Sequence, residues 1–272
     1  MHISLAAEKI IEIGPIAITN SMLVTWIVVI FLCAIAIRVS KKLSNTPGKL
    51  QNICEFVVEA ILAMIEGITQ NRKKAIQFLP LVATIFIFVI FANWIGLVPG
   101  FESIGLNEIN EEGHHILVPL FRQPAADLNT TFALAVISIV TVQIYGIRHL
   151  GIGYFKKFIN FKGPIDFFVG FLEAVSELSR IISFAFRLFG NIFAGSVLLM
   201  VISFLVPVIA AIPFYGLELF VGFIQALVFS MLTAVFLQTA TIVHEDHSEQ
   251  TAQEKVEEKD GLIPEKFGFS RG

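Results

Sequence analysis

The stretch that decides the fold is Phe184–Gly195, "FAFRLFGNIFAG", which sets one arginine, Arg187, inside an apolar run reaching from about residue 166 to 202. As a helix rising 1.5 Å per residue, that run is roughly 50 Å long or more, against a bilayer hydrocarbon core of about 30 Å. It must tilt, bend or project into water. An arginine at a bilayer centre costs roughly 2.5–3.5 kcal/mol on insertion scales, so Arg187 requires a route to water, a structural partner or a function.

Outward from this stretch the chain has the character of a membrane protein. Of 272 residues, 56% are hydrophobic and 15% charged, well below the quarter or so of charged residues in ordinary soluble domains. Further runs long enough to cross a bilayer lie at about 20–38, 77–98 and 129–147, and a second over-long one at 208–243. The reading is therefore an all-α integral membrane protein with five membrane helices, the last two long, strongly tilted and folded as a hairpin near Pro207. Three regions follow: an extracytoplasmic segment 1–19, a membrane domain 20–243, and a polar tail 244–272.

Lysines and arginines set the orientation. Residues 38–76 carry seven and 148–165 carry four, whereas 99–127 has Arg122 alone among five carboxylates. The positive-inside rule places the first two segments in the cytoplasm, the N-terminus outside and the C-terminus inside. The opening "MHISLAAEKIIEIGP" lacks the basic start of a signal peptide, so the first span is expected to stay uncleaved.

Between the first two spans, "LQNICEFVVEAILAMIEGITQ" repeats apolar residues at 50, 53, 57, 61, 64 and 68, with Glu55, Glu59 and Glu66 on another face. The pattern is that of an amphipathic helix on the cytoplasmic surface, or of one packed on a partner subunit. Cys33 and Cys54 form no disulfide framework and are expected to be reduced. A net charge of −3 gives no reason to expect nucleic acid as a partner. His244 and His247 in the tail lack further ligands for a metal.

The polar residues within the apolar runs are few and patterned. Residues four, seven, eleven and fourteen before Arg187 fall within about 40° of it on a helix. These are Ser183, Arg180, Ser176 and Glu173, and Asn191 continues the stripe. Ser196 falls on the opposite face. A hairpin at Pro207 makes residues whose numbers sum to about 413 face each other, so Ser196 faces Glu218 and Arg187 faces Gln225. Simpler roles exist for the same residues. Arg187 can snorkel, Glu177 and Arg180 can form a local ion pair, Asp127 and Asn129 can cap a helix, and Gly190 and Gly195 can serve close packing.

The run "SELSRIISFAFRLFGNIFAG", followed after a proline by "FIQALVFSMLTAVFLQTA", resembles subunit a of the membrane sector of F-type ATP synthases. "NWIGLVPG" and "PAADLNTTFALA" match in the expected order, and the resemblance spans roughly residues 20–243. It implies that Arg187 is the essential arginine that faces a ring of c subunits and separates two half-channels for protons or sodium ions. Gln225 then matches the glutamine opposite it, Asn191 the asparagine of its motif, and Glu173 and Ser176 the polar positions of the cytoplasmic half-channel. Asp127 resembles an acidic residue near the outer half-channel. Where the family often has an ionisable group, this chain has Ser196, which leaves Glu218 to carry most of the outer relay.

The resemblance also implies a complex with the c-ring, b-type peripheral stalk subunits and the rest of the synthase, in a bacterial inner membrane. No G-x-x-x-x-G-K-[ST] loop is present, so ATP chemistry belongs to another subunit, and neither cofactor nor metal is expected. A secondary transporter, which would usually show repeated half-structures, or a membrane scaffold would account for the helices alone.

Overall fold

The computed structural model describes residues 8–13, 16–41, 43, 48–98, 100–101, 104–109, 115–151, 154, 164–206 and 211–241. Its helices are α1 (Asn20–Lys41), α2 (Lys49–Thr69), α3 (Arg72–Trp94), α4 (Leu128–Leu150), α5 (Pro164–Leu205) and α6 (Ala211–Thr241). Among the described residues five of them, all but α2, are long and apolar enough to cross a membrane. The all-α membrane fold read from the sequence is the fold of the chain. The tail, with His244 and His247, and the turn expected at Pro207 lie outside the described residues.

Two short antiparallel hairpins add to it. Strand β1 (Lys9–Ile13) pairs with β2 (Ile16–Thr19), and β3 (Gly105–Ile109) pairs with β4 (His115–Pro119). Both sit at the ends of helices: β2 runs directly into α1, and β3 and β4 lie between α3 and α4. Backbone that leaves the membrane here pairs with itself, which satisfies N–H and C=O groups that a helix would otherwise satisfy.

The core is built by α3, α4, α5 and α6. Phe78, Val82, Val89, Ile139, Leu188, Ile192, Phe229 and Leu237 are among its buried side chains. Helices α5 and α6 run antiparallel along each other. Phe184 stacks on Phe229 with ring centroids 4.7 Å apart, and Phe236 lies 5.5 Å from the same ring. The numbers 184 and 229 sum to 413, the register expected from the sequence.

Helix α2 packs on α3 and α6 through Ile61, Ile65 and Thr69, four residues apart. Of the stripe read from the sequence, Ile61 is buried and Val57 and Ile68 pack against the core, whereas Leu50, Ile53 and Met64 are exposed. The helix ends at Gln70 in the left-handed conformation (φ 52°), and Asn71 caps α3 by accepting from the backbone N–H groups of Lys73 and Lys74.

Helix α1 is fastened at one end. Ser21 Oγ donates to Asp127 Oδ2 at 2.6 Å, and Asn20 Nδ2 to the Pro119 carbonyl at 3.1 Å. Farther along it, Trp26, Ile30, Phe31 and Ile37 are exposed, as expected of a helix whose outer face meets lipid. Both cysteines are free.

Candidate functional site

Arg187 lies on the open face of α5, with its neighbours Ser183, Gly190, Asn191 and Ala194 also exposed. Its guanidinium donates to Ser183 Oγ at 3.5 Å, one turn back. Among the described residues no carboxylate lies within ion-pair distance of it. Around Gly190 there is open space where a side chain would stand. A permanent cation thus projects from a helix face with a shallow surface beside it.

Nearer the N-terminal end of α5, a separate charged group forms. Arg180 pairs with Glu177, lies 4.0 Å from Glu173, and stacks over the Phe236 ring at 4.8 Å. The local ion pair expected at Glu177 and Arg180 is present. Ser176 is half-buried one position before Glu177. Beyond the end of α4, Tyr154 lies buried on Gly146 and donates to Gln143 Oε1. Burial first, then the charges of Glu177 and Glu173 against the opposing Arg180, pushes its phenol up to about 12, so it remains a protonated donor.

The other end of the α5–α6 pair carries a second polar group. Glu218 is 5% exposed and rests directly against Gly195, where any side chain would overlap its carboxylate. Its Oε1 has no hydrogen-bond partner. Asn191 Nδ2 donates to Gln225 Oε1 at 2.8 Å, leaving the buried Gln225 Nε2 without a partner. Sequence register paired Arg187 with Gln225 and Ser196 with Glu218. Instead Gln225 is held by Asn191, and the Ser196 hydroxyl donates to Gln123 Oε1 (3.2 Å) and the Ile192 carbonyl (3.0 Å). The counting rule set the register, but side-chain rotation within a turn decided the partners.

Asp127 is buried and caps α4. Its carboxylate accepts from the Asn129 N–H, the Thr130 hydroxyl and Ser21. Asn129, read as a possible cap, lies in the first turn instead.

Two residues of this region escaped the sequence reading. Gln123, 2% exposed, donates from Nε2 to the Asn93 carbonyl while accepting from Ser196. Asn93, 1% exposed, donates from Nδ2 to the Gly222 carbonyl at 2.9 Å. The neighbouring Trp94 donates to the Leu219 carbonyl at 3.1 Å. The signal available for Asn93 is a lone amide late in an apolar span. Gln123 stands in a loop, and nothing in its own stretch marks it as buried.

The arrangement therefore holds a free cation on an open helix face, with separate buried carboxylate groups towards either end. Among the described residues no cluster of side chains suited to a metal is found. The family model described as ATP synthase A chain matches residues 22–238. ATP synthase subunit a of Campylobacter jejuni strain 81-176 is 38% identical over 224 residues, covering 81% of this chain and 89% of the relative. The Gloeobacter violaceus subunit a is 37% identical over 237 residues, covering 87% and 89%. The Citrifermentans bemidjiense subunit a is 35% identical over 223 residues, covering 80% and 86%. With a match this long, reaching from the first span to the end of the last and taking in both polar groups, the chain belongs to the ATP synthase subunit a family.

Proposed function

We propose that the chain is the ion-conducting stator of the synthase's membrane sector, with Arg187 separating two offset half-channels for protons or sodium ions. The observation that supports this most is the exposed, carboxylate-free Arg187 lying between the buried Glu218 and the Glu173–Glu177–Arg180 group. Among the described residues no carboxylate pairs with it, and in this reading one on a rotating ring of c subunits does.

A ring carboxylate is stable against lipid only when neutral, because a buried unpaired charge is heavily penalised. The Arg187 guanidinium favours the deprotonated carboxylate as it passes. The ion leaves into one half-channel, and the emptied site reloads from the other before it returns to lipid. Glu218 serves the outer path, with Asp127 near it, and Glu173 and Ser176 serve the cytoplasmic one. Asn191 and Gln225 brace the helix pair beside the arginine. The fixed charge also repels any cation leaking straight between the paths. Ion flow is thereby coupled to rotation, and a soluble head supplies the ATP chemistry that this chain does not perform itself.

In this reading residues 20–243 form the working unit, the N-terminus faces outwards and the C-terminus faces the cytoplasm of a bacterial cell. The b-type stalk subunits hold the stator against the ring. The test is Arg187→Ala in the whole complex, assayed by ATP-driven ion pumping into vesicles. Pumping is expected to be abolished while the c-ring still copurifies; wild-type pumping by the variant would sink the reading.

A further inference from the structure

We propose that Gln123 is a positioning residue for the outer ion path, the centre of a hydrogen-bonded frame that fixes where the Glu218 carboxylate sits. The inference rests on the outer path assigned to Glu218 above and adds a residue to it. Four contacts make the frame: Ser196 to Gln123, Gln123 to the Asn93 carbonyl, Asn93 to the Gly222 carbonyl, and Glu218 seated on Gly195. They join α5, the end of α3 and α6 around one carboxylate. On α6, Gly222 is one turn beyond Glu218. On α5, Ser196 is the next residue after Gly195.

The direction of each bond is fixed by chemistry. A backbone carbonyl only accepts, so the Gln123 group facing Asn93 is its NH2, and its oxygen faces Ser196. That oxygen only accepts too, so the serine must donate. The other atom near the serine, the Ile192 carbonyl, is also an acceptor. The single hydroxyl hydrogen of Ser196 is therefore committed to groups that take up no proton at working pH. A hydroxyl passes a proton on only by giving its own to a base, and neither neighbour is one. Ser196 is thus a tie point of the frame, and Glu218 is the titratable group of the outer path here.

Nor can the frame slacken by simple repacking. Gln123 is pressed against Gly96, where a Cβ would lie 2.8–2.9 Å from its side-chain carbons. Asn93 packs less tightly on Gly222, its Cβ 3.2 Å from the position a Cβ would take there. The glycines let the amides reach backbone carbonyls on neighbouring elements. Three buried polar atoms in this region remain without partners: Glu218 Oε1, Asn93 Oδ1 and Gln225 Nε2. Buried polar atoms in native structures are nearly always satisfied, so these are the places for water.

The experiment is ATP synthesis by the whole complex in vesicles, measured against the activity of the driving ion on the outer side. Gln123→Met keeps the side-chain length and removes both bonds. It is expected to raise the half-saturating ion activity about fivefold, the equivalent of one net hydrogen bond of about 1 kcal/mol, with the maximal rate within about twofold of wild type. Ser196→Ala, which cuts only the α5 arm, is expected to raise it less and in the same direction. An unchanged half-saturation in Gln123→Met, or a fall in maximal rate alone, overturns the proposal. If Gln123→Met does not assemble with the c-ring, Ser196→Ala decides, and a wild-type half-saturation there overturns it. Either result leaves the Arg187→Ala test of the underlying function untouched.

Discussion

Glu218 owes its place to a missing side chain. Gly195 leaves the pocket into which the carboxylate settles, and a methyl group there would occupy the same space. Gly195→Ala is therefore expected to push Glu218 aside and lower ion pumping at least tenfold with the complex still assembled; c-ring copurification and pumping rates measured together check it. Glu218→Gln, which removes the titratable carboxylate and keeps its shape, is expected to impair pumping far more than Ser196→Ala. Equal small effects would remove Glu218 from the path. Glu218 and Arg187 were legible in the sequence as candidate site residues because each is a charge in an apolar run. Gln123 was not, since the groups that hold it are a carbonyl 30 residues earlier and a hydroxyl 73 residues later.

The α5–α6 pair is held by aromatic packing on one side of Arg187 and by the Asn191–Gln225 bond on the other. Phe184 is 2% exposed and touches two rings of α6. Phe184→Ala is expected to cost about 3–5 kcal/mol, the range for deleting a buried phenylalanine, and to lower the midpoint of thermal dissociation of the complex. The existence and extent of these helices followed from their long apolar runs. Which way each polar side chain turns did not, because positions 195 and 196 differ by 100° of rotation and only packing chooses between them. The same ambiguity explains α2, whose apolar residues exceed the number that one face can bury. The strands β1 to β4 are four or five residues each, too short for an alternating pattern to stand out from its surroundings.

Across the whole molecule, apolar side chains cover the outside as well as the core, the arrangement expected where lipid rather than water is the solvent. Association between helices then depends on close packing and on polar ties. The tie of α1 is the Ser21–Asp127 bond at its N-terminal end, reinforced by Asn20. Asp127→Ala removes this tie and the cap of α4 together. It is expected to loosen α1 from the bundle, seen as faster maleimide labelling of Cys33 in detergent; labelling at the wild-type rate would show that α1 is held by other contacts. The five spans were readable from hydropathy alone, whereas the tie joins residues 106 apart and becomes visible only once the bundle is assembled.

The shallow face beside Arg187 bears on any neighbour that has to keep moving. Interlocking side chains hold two helices in register, and each step past one another would then climb out of a well. Gly190 and Ala194 offer no such teeth, so a passing surface meets clearance instead of a ratchet. The arginine can reach across that clearance while the backbone behind it stays still. Low friction at this surface is a property of what the sequence leaves out.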